Sequence, residues 1–186
     1  MIKLQNISFA YGEKQVLRDF SLEIKNGDRI CLFGESGCGK TTLLRLILGL
    51  EKLKKGSISG IENLKPSVVF QENRMLPFKT VLENITLFGA SEETALYHLD
   101  TLGIKDTAHL KLEELSGGME RRAAIARALS QDFDYLLLDE AFTGLDSANI
   151  KAAAEHILKT AEDKPIILIT HSLEEAELFN AKIIKM

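Results

Sequence analysis

The chain has 186 residues, of which 45% are apolar and 27% charged, as expected of a soluble globular domain able to bury a core. Its 23 Lys and Arg against 27 Asp and Glu leave a net charge of −4, which gives no long-range attraction for nucleic acid or an anionic membrane. No apolar run approaches the roughly 20 residues of a membrane span, the first residues lack the core of a signal peptide, and two cysteines, Cys31 and Cys38, cannot build a disulfide framework. The expectation is a cytosolic protein with reduced thiols.

Ile2 to Phe9 and Val16 to Ile24 alternate apolar with polar, as half-exposed antiparallel strands do. Ile30 to Phe33, Val68 to Phe70, Tyr135 to Leu138 and Ile166 to Ile169 are short apolar runs without alternation, the pattern of strands covered on both faces. Helical spacing runs from about Lys40 to Leu48, Glu92 to Leu102, Gly118 to Leu129 and Ala148 to Ala161. Such alternation predicts an α/β domain with a mainly parallel sheet and ligand loops at the carboxyl ends of its strands. From Gln71 to about Leu115 there are helical and turn signals but no buried strand, which suggests an inserted helical lobe. Ile183 to Met186 reads as a closing strand that leaves no room for another domain.

Gly34-Glu35-Ser36-Gly37-Cys38-Gly39-Lys40-Thr41 fits the P-loop spacing between an apolar strand and a helix. Glycines let backbone N–H groups turn in around a phosphate, and the helix N-terminus adds donors and partial positive charge. Lys40 suits the β- and γ-phosphates of a nucleoside triphosphate, and the Thr41 hydroxyl suits Mg²⁺. Cys31 reads as core. Cys38 reads as a small loop residue whose thiol could make activity sensitive to alkylation.

Tyr135 to Leu138 ends in Asp139-Glu140. An acid at such a strand end suits Mg²⁺, and alternation along the strand would aim Glu140 elsewhere, free to deprotonate an attacking water. Ile166 to Thr170 delivers His171 in the same manner, and Ser172 with Glu175 makes a capping box that starts a helix just after it. His98, His109 and His156 read as structural or surface residues. Leu115-Ser116-Gly117-Gly118-Met119 opens an Ala-rich helix, and its serine and glycines are either a plain cap or anion-binding equipment.

Taken together, the motifs resemble the ATP-binding cassette (ABC) family, in particular the nucleotide-binding subunit of a bacterial importer. The resemblance spans nearly the whole chain: Tyr11 as the aromatic A-loop residue, the Walker A loop Gly34 to Thr42, and Gln71 of the Q-loop, then the signature Leu115 to Met119, Walker B ending at Asp139-Glu140, the D-loop Gly144-Leu145-Asp146, and the switch histidine His171. It implies a RecA-like P-loop core with an antiparallel β subdomain in residues 1–71 and 131–186, and a helical subdomain in 72–130. It implies an ATPase that binds ATP and Mg²⁺, the metal held by Thr41, Gln71 and Asp139. Glu140, His171 and Gln71 would be catalytic; Tyr11, taken alone a surface turn residue, would stack on adenine, and Thr42 would add a phosphate contact. Ser116, Gly117 and Gly118 would bind the γ-phosphate held by a second, head-to-tail subunit, with Asp146 crossing the seam.

Membrane permease subunits and an extracytoplasmic substrate-binding protein are the further partners implied, with no nucleic acid, and the location implied is the inner face of the membrane. Met119 stands where glutamine is commonest, Glu120-Arg121-Arg122 is slightly unusual, and the C-terminal extension common in such subunits is nearly absent. Gln71 to Val81 resembles the Q-E-x-R-L-L-P-W pattern of nitrate, sulfonate and taurine importers, with Phe78 in place of tryptophan. There Pro77 is expected to stop a helix and leave Met75, Leu76 and Phe78 near the surface, either as a dock for a membrane partner or as ordinary packing. The alternatives are an exporter subunit, a soluble ABC ATPase, a P-loop kinase of a small metabolite and a nonhydrolytic binding module. The last two leave the signature unexplained or conflict with Glu140 and His171.

Overall fold

The computed structural model describes all 186 residues. In chain order the strands are β1 (Ile2–Tyr11), β2 (Lys14–Ile24), β3 (Arg29–Phe33), β4 (Lys55–Ser59), β5 (Pro66–Val69), β6 (Tyr135–Asp139), β7 (Ile166–Thr170) and β8 (Lys182–Lys185). The helices are α1 (Lys40–Ile47), α2 (Val81–Thr86), α3 (Glu92–Thr101), α4 (Gly117–Leu129), α5 (Ser147–Ala161) and α6 (Leu173–Leu178). One sheet has the order β2-β1-β4 and the other β5-β6-β7-β3-β8. The chain falls into two compact units: Met1–Pro66 with Phe133–Leu137 and Asp163–Met186, and Ser67–Asp132 with Leu138–Glu162.

In the first unit, β1 pairs antiparallel with β2 and β4. The alternation of β1 carries one polar residue too many at Gln5-Asn6, and the register shifts between Leu4 and Ile7. Asn6 takes φ 51° there, donates its N–H to Ser21 Oγ at 2.9 Å, and accepts from that hydroxyl at 3.0 Å. The bulge lets Ile2, Leu4, Ile7 and Phe9 all reach the core. β4 carries no apolar alternation and escaped the sequence reading; its Lys55-Gly56-Ser57-Ile58-Ser59 is held by main-chain pairing to β1.

β3 lies parallel to both β7 and β8, and every residue of β7 is buried. The lysines at both ends of β8 suit a strand at the edge of its sheet.

The second unit is built around α4, whose buried residues Ala123, Ala124, Ile125, Ala126, Ala128 and Leu129 meet α2, α3 and α5. Small side chains let these helices approach closely. α2, not picked out from the sequence, starts at a capping box in which Thr80 and Glu83 bond reciprocally.

No helix precedes Pro77, contrary to the sequence expectation. The turns of 71–80 are held instead by Asn84, buried on α2, which bonds both N–H and C=O of Leu76 and the carbonyl of Thr80. Met75 is buried rather than near the surface, and of the three apolar residues only Phe78 is widely exposed, at 69%.

Candidate functional site

In the first unit, β3 runs straight into the loop 34–39 and α1 begins at Lys40. Gly39 caps α1 at φ 110°, and a Cβ there would lie 2.8 Å from Leu17 Cδ2 and 3.0 Å from the Val16 carbonyl oxygen. Glycine is thus required twice, by conformation and by space. A Cβ on Gly34 would meet Cys38 Sγ at 2.8 Å and the Met186 carbonyl oxygen at 2.9 Å. Glu35, Ser36 and Gly37 are exposed at the loop tip.

Lys40 is only 8% exposed, and its ammonium donates to the carbonyls of Gly34 at 2.6 Å and Glu35 at 2.9 Å, with Cys38 Sγ at 3.7 Å. A cation is therefore held against the loop beside the first turn of α1, where helix N–H groups are unpaired. Thr41 is exposed on that turn, and Thr42 is buried.

The β3–β7 register pairs Phe33 with Thr170, so Gly34 and His171 leave the sheet from the ends of adjacent strands. His171 is exposed, and Ser172 caps α6 by accepting from Glu175 N–H at 3.2 Å. Tyr11 is 43% exposed, packs edge-on to Phe9 with ring centroids 5.0 Å apart, and donates its hydroxyl to Glu51 at 3.1 Å.

The second unit carries the remaining sequence-singled residues. Asp139, the last residue of β6, is 3% exposed. Glu140 lies just past the strand at φ 49°, so its direction is not set by strand alternation as the sequence suggested. A left-handed non-glycine residue costs about 1–3 kcal/mol and persists only where its surroundings enforce it.

The Glu140 carbonyl accepts from Thr143 N–H at 3.3 Å, and the carbonyls of this turn also meet Arg121, 3% exposed on α4. Its Nε donates to the Ala141 carbonyl at 2.7 Å, its Nη2 to those of Asp139 at 3.3 Å and Glu140, and its Nη1 to those of Phe70 at 2.6 Å and Gln71 at 3.2 Å and to Asn73 Oδ1 at 2.9 Å. The Gln71 side chain is exposed. Arg127, two turns further along α4, donates to the carbonyls of Asn73 and Arg74 at 2.8 and 2.7 Å.

Arg121 and Asn73 were not singled out from the sequence as site residues. The available signal was a charge at the head of the stripe Arg121, Ala124, Ile125 and Ala128, whose i, i+3, i+4, i+7 spacing marks a buried face.

Ser116 caps α4, its Oγ accepting from Met119 N–H at 3.3 Å; Ser116 and Gly117 are exposed and Gly118 is half-buried. Asp146 caps α5, accepting from the main-chain and side-chain N–H groups of Asn149 at 2.8 Å each, and these bonds hold its carboxyl below the usual carboxylate range. That cap was also missed, although D-x-x-N before a helix is a readable signal.

Residues 17–143 match the ABC transporter family model. The chain belongs to the ABC transporter family. It is 39% identical to an aliphatic sulfonates import ATP-binding protein SsuB 1 of Paracoccus denitrificans, over 98% of this chain and 78% of that protein. It is 37% identical to a taurine import ATP-binding protein TauB of a Jannaschia species, over 100% of this chain and 77% of the relative. A bicarbonate transport ATP-binding protein CmpD of Synechococcus elongatus is 35% identical over 98% of this chain and 74% of its own length.

The dimeric post-hydrolysis structure of the ATP-binding cassette MJ0796 with ADP and Pi superposes with TM-score 0.86 at 29% identity, covering 100% of this chain and 94% of the other. This cassette has the RecA-like P-loop fold, binds ATP, and is an ATPase of the ABC transporter family. No helix in it is long and apolar enough to cross a membrane.

Proposed function

We propose that the cassette powers import by closing, with ATP, as a head-to-tail pair of subunits, and that this closure moves a solute through separate membrane permease subunits fed by an extracytoplasmic binding protein. It works on the cytoplasmic face of the membrane. The relatives' names speak of sulfonates, taurine and bicarbonate, and we infer a small anionic or zwitterionic cargo for this one. The observation that supports the reading most is the Phe33–Thr170 pairing, which sends the phosphate loop and His171 out of adjacent strand ends.

The proposed chemistry starts with the amides of residues 34–41 and the N-terminus of α1 holding the phosphates. Lys40 exchanges its carbonyl partners for β- and γ-oxygens, gaining charge-assisted bonds. Thr42 adds a phosphate contact, and the Tyr11 ring stacks on adenine.

The donors suited to a metal are the Thr41 hydroxyl, the Gln71 side-chain oxygen and the Asp139 carboxylate, and no group of three His, Cys, Asp or Glu side chains is placed to cage one. Such a sparse set of hard oxygens fits Mg²⁺, which keeps waters and phosphate oxygens in its shell. When bound, Mg²⁺ neutralises charge on the transferring phosphoryl group.

Glu140 takes a proton from water as the water oxygen bonds to the γ-phosphorus and the bond to the β,γ-bridging oxygen breaks, giving ADP and phosphate. His171 donates an N–H to a γ-oxygen. Ser116, Gly117 and Gly118 offer their helix-start N–H groups to the ATP of the opposite subunit, and Asp146 lies along that seam.

The test is Glu140→Gln. It is expected to bind ATP with parental affinity, to lose about 10²–10⁴ in steady turnover, and to accumulate as an ATP-dependent dimer on size-exclusion chromatography. Turnover at the parental rate would end the assignment of Glu140 as the base. Recovery of a polytopic membrane protein with the subunit from its native membrane supports the permease; recovery of ribosomes or nucleic acid contradicts it.

A further inference from the structure

Consecutive carbonyls of an extended strand point to opposite sides, yet those of Asp139, Glu140 and Ala141 all accept from one guanidinium. The chain achieves this by leaving the strand after Asp139 and placing Glu140 in the left-handed region. The same guanidinium holds the carbonyls of Phe70 and Gln71 and the side chain of Asn73. Two segments that are 68 residues apart at Gln71 and Asp139 are thus fastened to a single side chain. That side chain stands on α4, little more than a turn beyond its cap Ser116.

We propose that Arg121 is a positioning residue for ATP hydrolysis: it clamps the Gln71 peptide and the Asp139-Glu140-Ala141 turn to the signature helix, and so fixes where the Glu140 carboxylate points. The proposal rests on the reading of Glu140 as the base. The planar fork of five N–H donors is what the arrangement requires, because it reaches both segments at once. A lysine ammonium, a single point on a flexible stem, serves one segment or the other. The phosphate loop 34–41 belongs to the other compact unit and makes none of these bonds, so loss of the clamp is expected to spare nucleotide binding and to slow chemistry. The clamp also gives Gln71 and Glu140 a common mechanical link to Ser116: a shift of α4 carries both.

The experiment compares the parental cassette with Arg121→Lys, Asn73→Ala and Glu140→Gln. It measures affinity for a fluorescent ATP analogue, steady-state kcat, and hydrogen exchange of the amides in 70–73 and 139–143. Arg121→Lys is expected to keep analogue affinity within about threefold and to lose at least about tenfold in kcat, the scale of a small displacement of a reacting group. Exchange should quicken in both segments.

A folded Arg121→Lys with parental kcat overturns the proposal, as does a loss of affinity that matches the loss of kcat, which would mark a structural role. If Arg121→Lys does not fold, Asn73→Ala decides: it removes one acceptor, and kcat should fall about threefold at unchanged affinity, whereas parental kcat overturns the clamp. Glu140→Gln separates the two failures. If it still turns over, the base assignment falls, and unchanged exchange in Arg121→Lys is then what overturns the clamp.

Discussion

His98 on α3 and His156 on α5 form a buried pair whose acid response can be worked from the structure. His98 Nδ1 and His156 Nε2 are 2.8 Å apart, both residues are at most 4% exposed, and Tyr97 packs edge-on to both rings. One neutral ring donates its N–H to the other's lone pair, and His156 Nδ1 is buried with no partner. Burial, then the neighbouring His156, lowers the pKa of His98 from 6.5 to about 4. Burial, then Lys159, lowers that of His156.

The unfolded chain takes up these protons near pH 6.5, whereas the folded pair refuses them until lower pH. The stability that His98 confers is therefore complete above 6.5, declines as pH falls from 6.5 towards 4, and levels off below, and that of His156 is lost in the same direction. For His98 alone the displacement amounts to about 3 kcal/mol, at about 1.4 kcal/mol per pKa unit. Urea denaturation at steps from pH 7 to 4 should show this loss, and the double variant His98→Leu with His156→Leu should have a shallower slope, losing less unfolding free energy over that range by at least that amount. Carboxylates titrate in both proteins and cancel in the difference. Equal slopes, or a His98 C2–H resonance titrating at or above 6.5, refutes the reasoning.

Gly39→Ala should lower stability by about 1–3 kcal/mol, because it forces a Cβ into a left-handed position against Leu17 and Val16. A lower denaturation midpoint with weakened analogue binding is the expected result, and a parental midpoint contradicts it. Tyr11→Ala should weaken binding of an adenine nucleotide by about 1–3 kcal/mol, the worth of a base stack. Tyr11→Phe, which loses only the bond to Glu51, should bind as the parent does, and equal weakening in both would assign the effect to the hydroxyl.

Local chemistry made the first half of this protein readable. A strand, a glycine-rich turn and a lysine at a helix start lie within a dozen residues, so the loop at 34–41 and the position of Lys40 in it follow from sequence alone. The continuous apolar runs gave β3 and β7 for the same reason: a strand with two buried faces has no polar position to offer. β4 was illegible because Lys55–Ser59 is stabilised by main-chain bonds to β1, and main-chain bonds leave no trace in side-chain pattern.

Contacts between distant residues were beyond the sequence altogether. The Glu140 carbonyl is held by an arginine 19 residues earlier and its backbone has left the strand, the two histidines meet across 58 residues, and Asn84 holds the turns where a proline had suggested the end of a helix. The order of residues along the chain determined the chemistry this protein carries. Its tertiary structure decided where that chemistry is aimed, because a side chain's direction is set by the partners that satisfy its buried polar groups, and those partners are neighbours only in space.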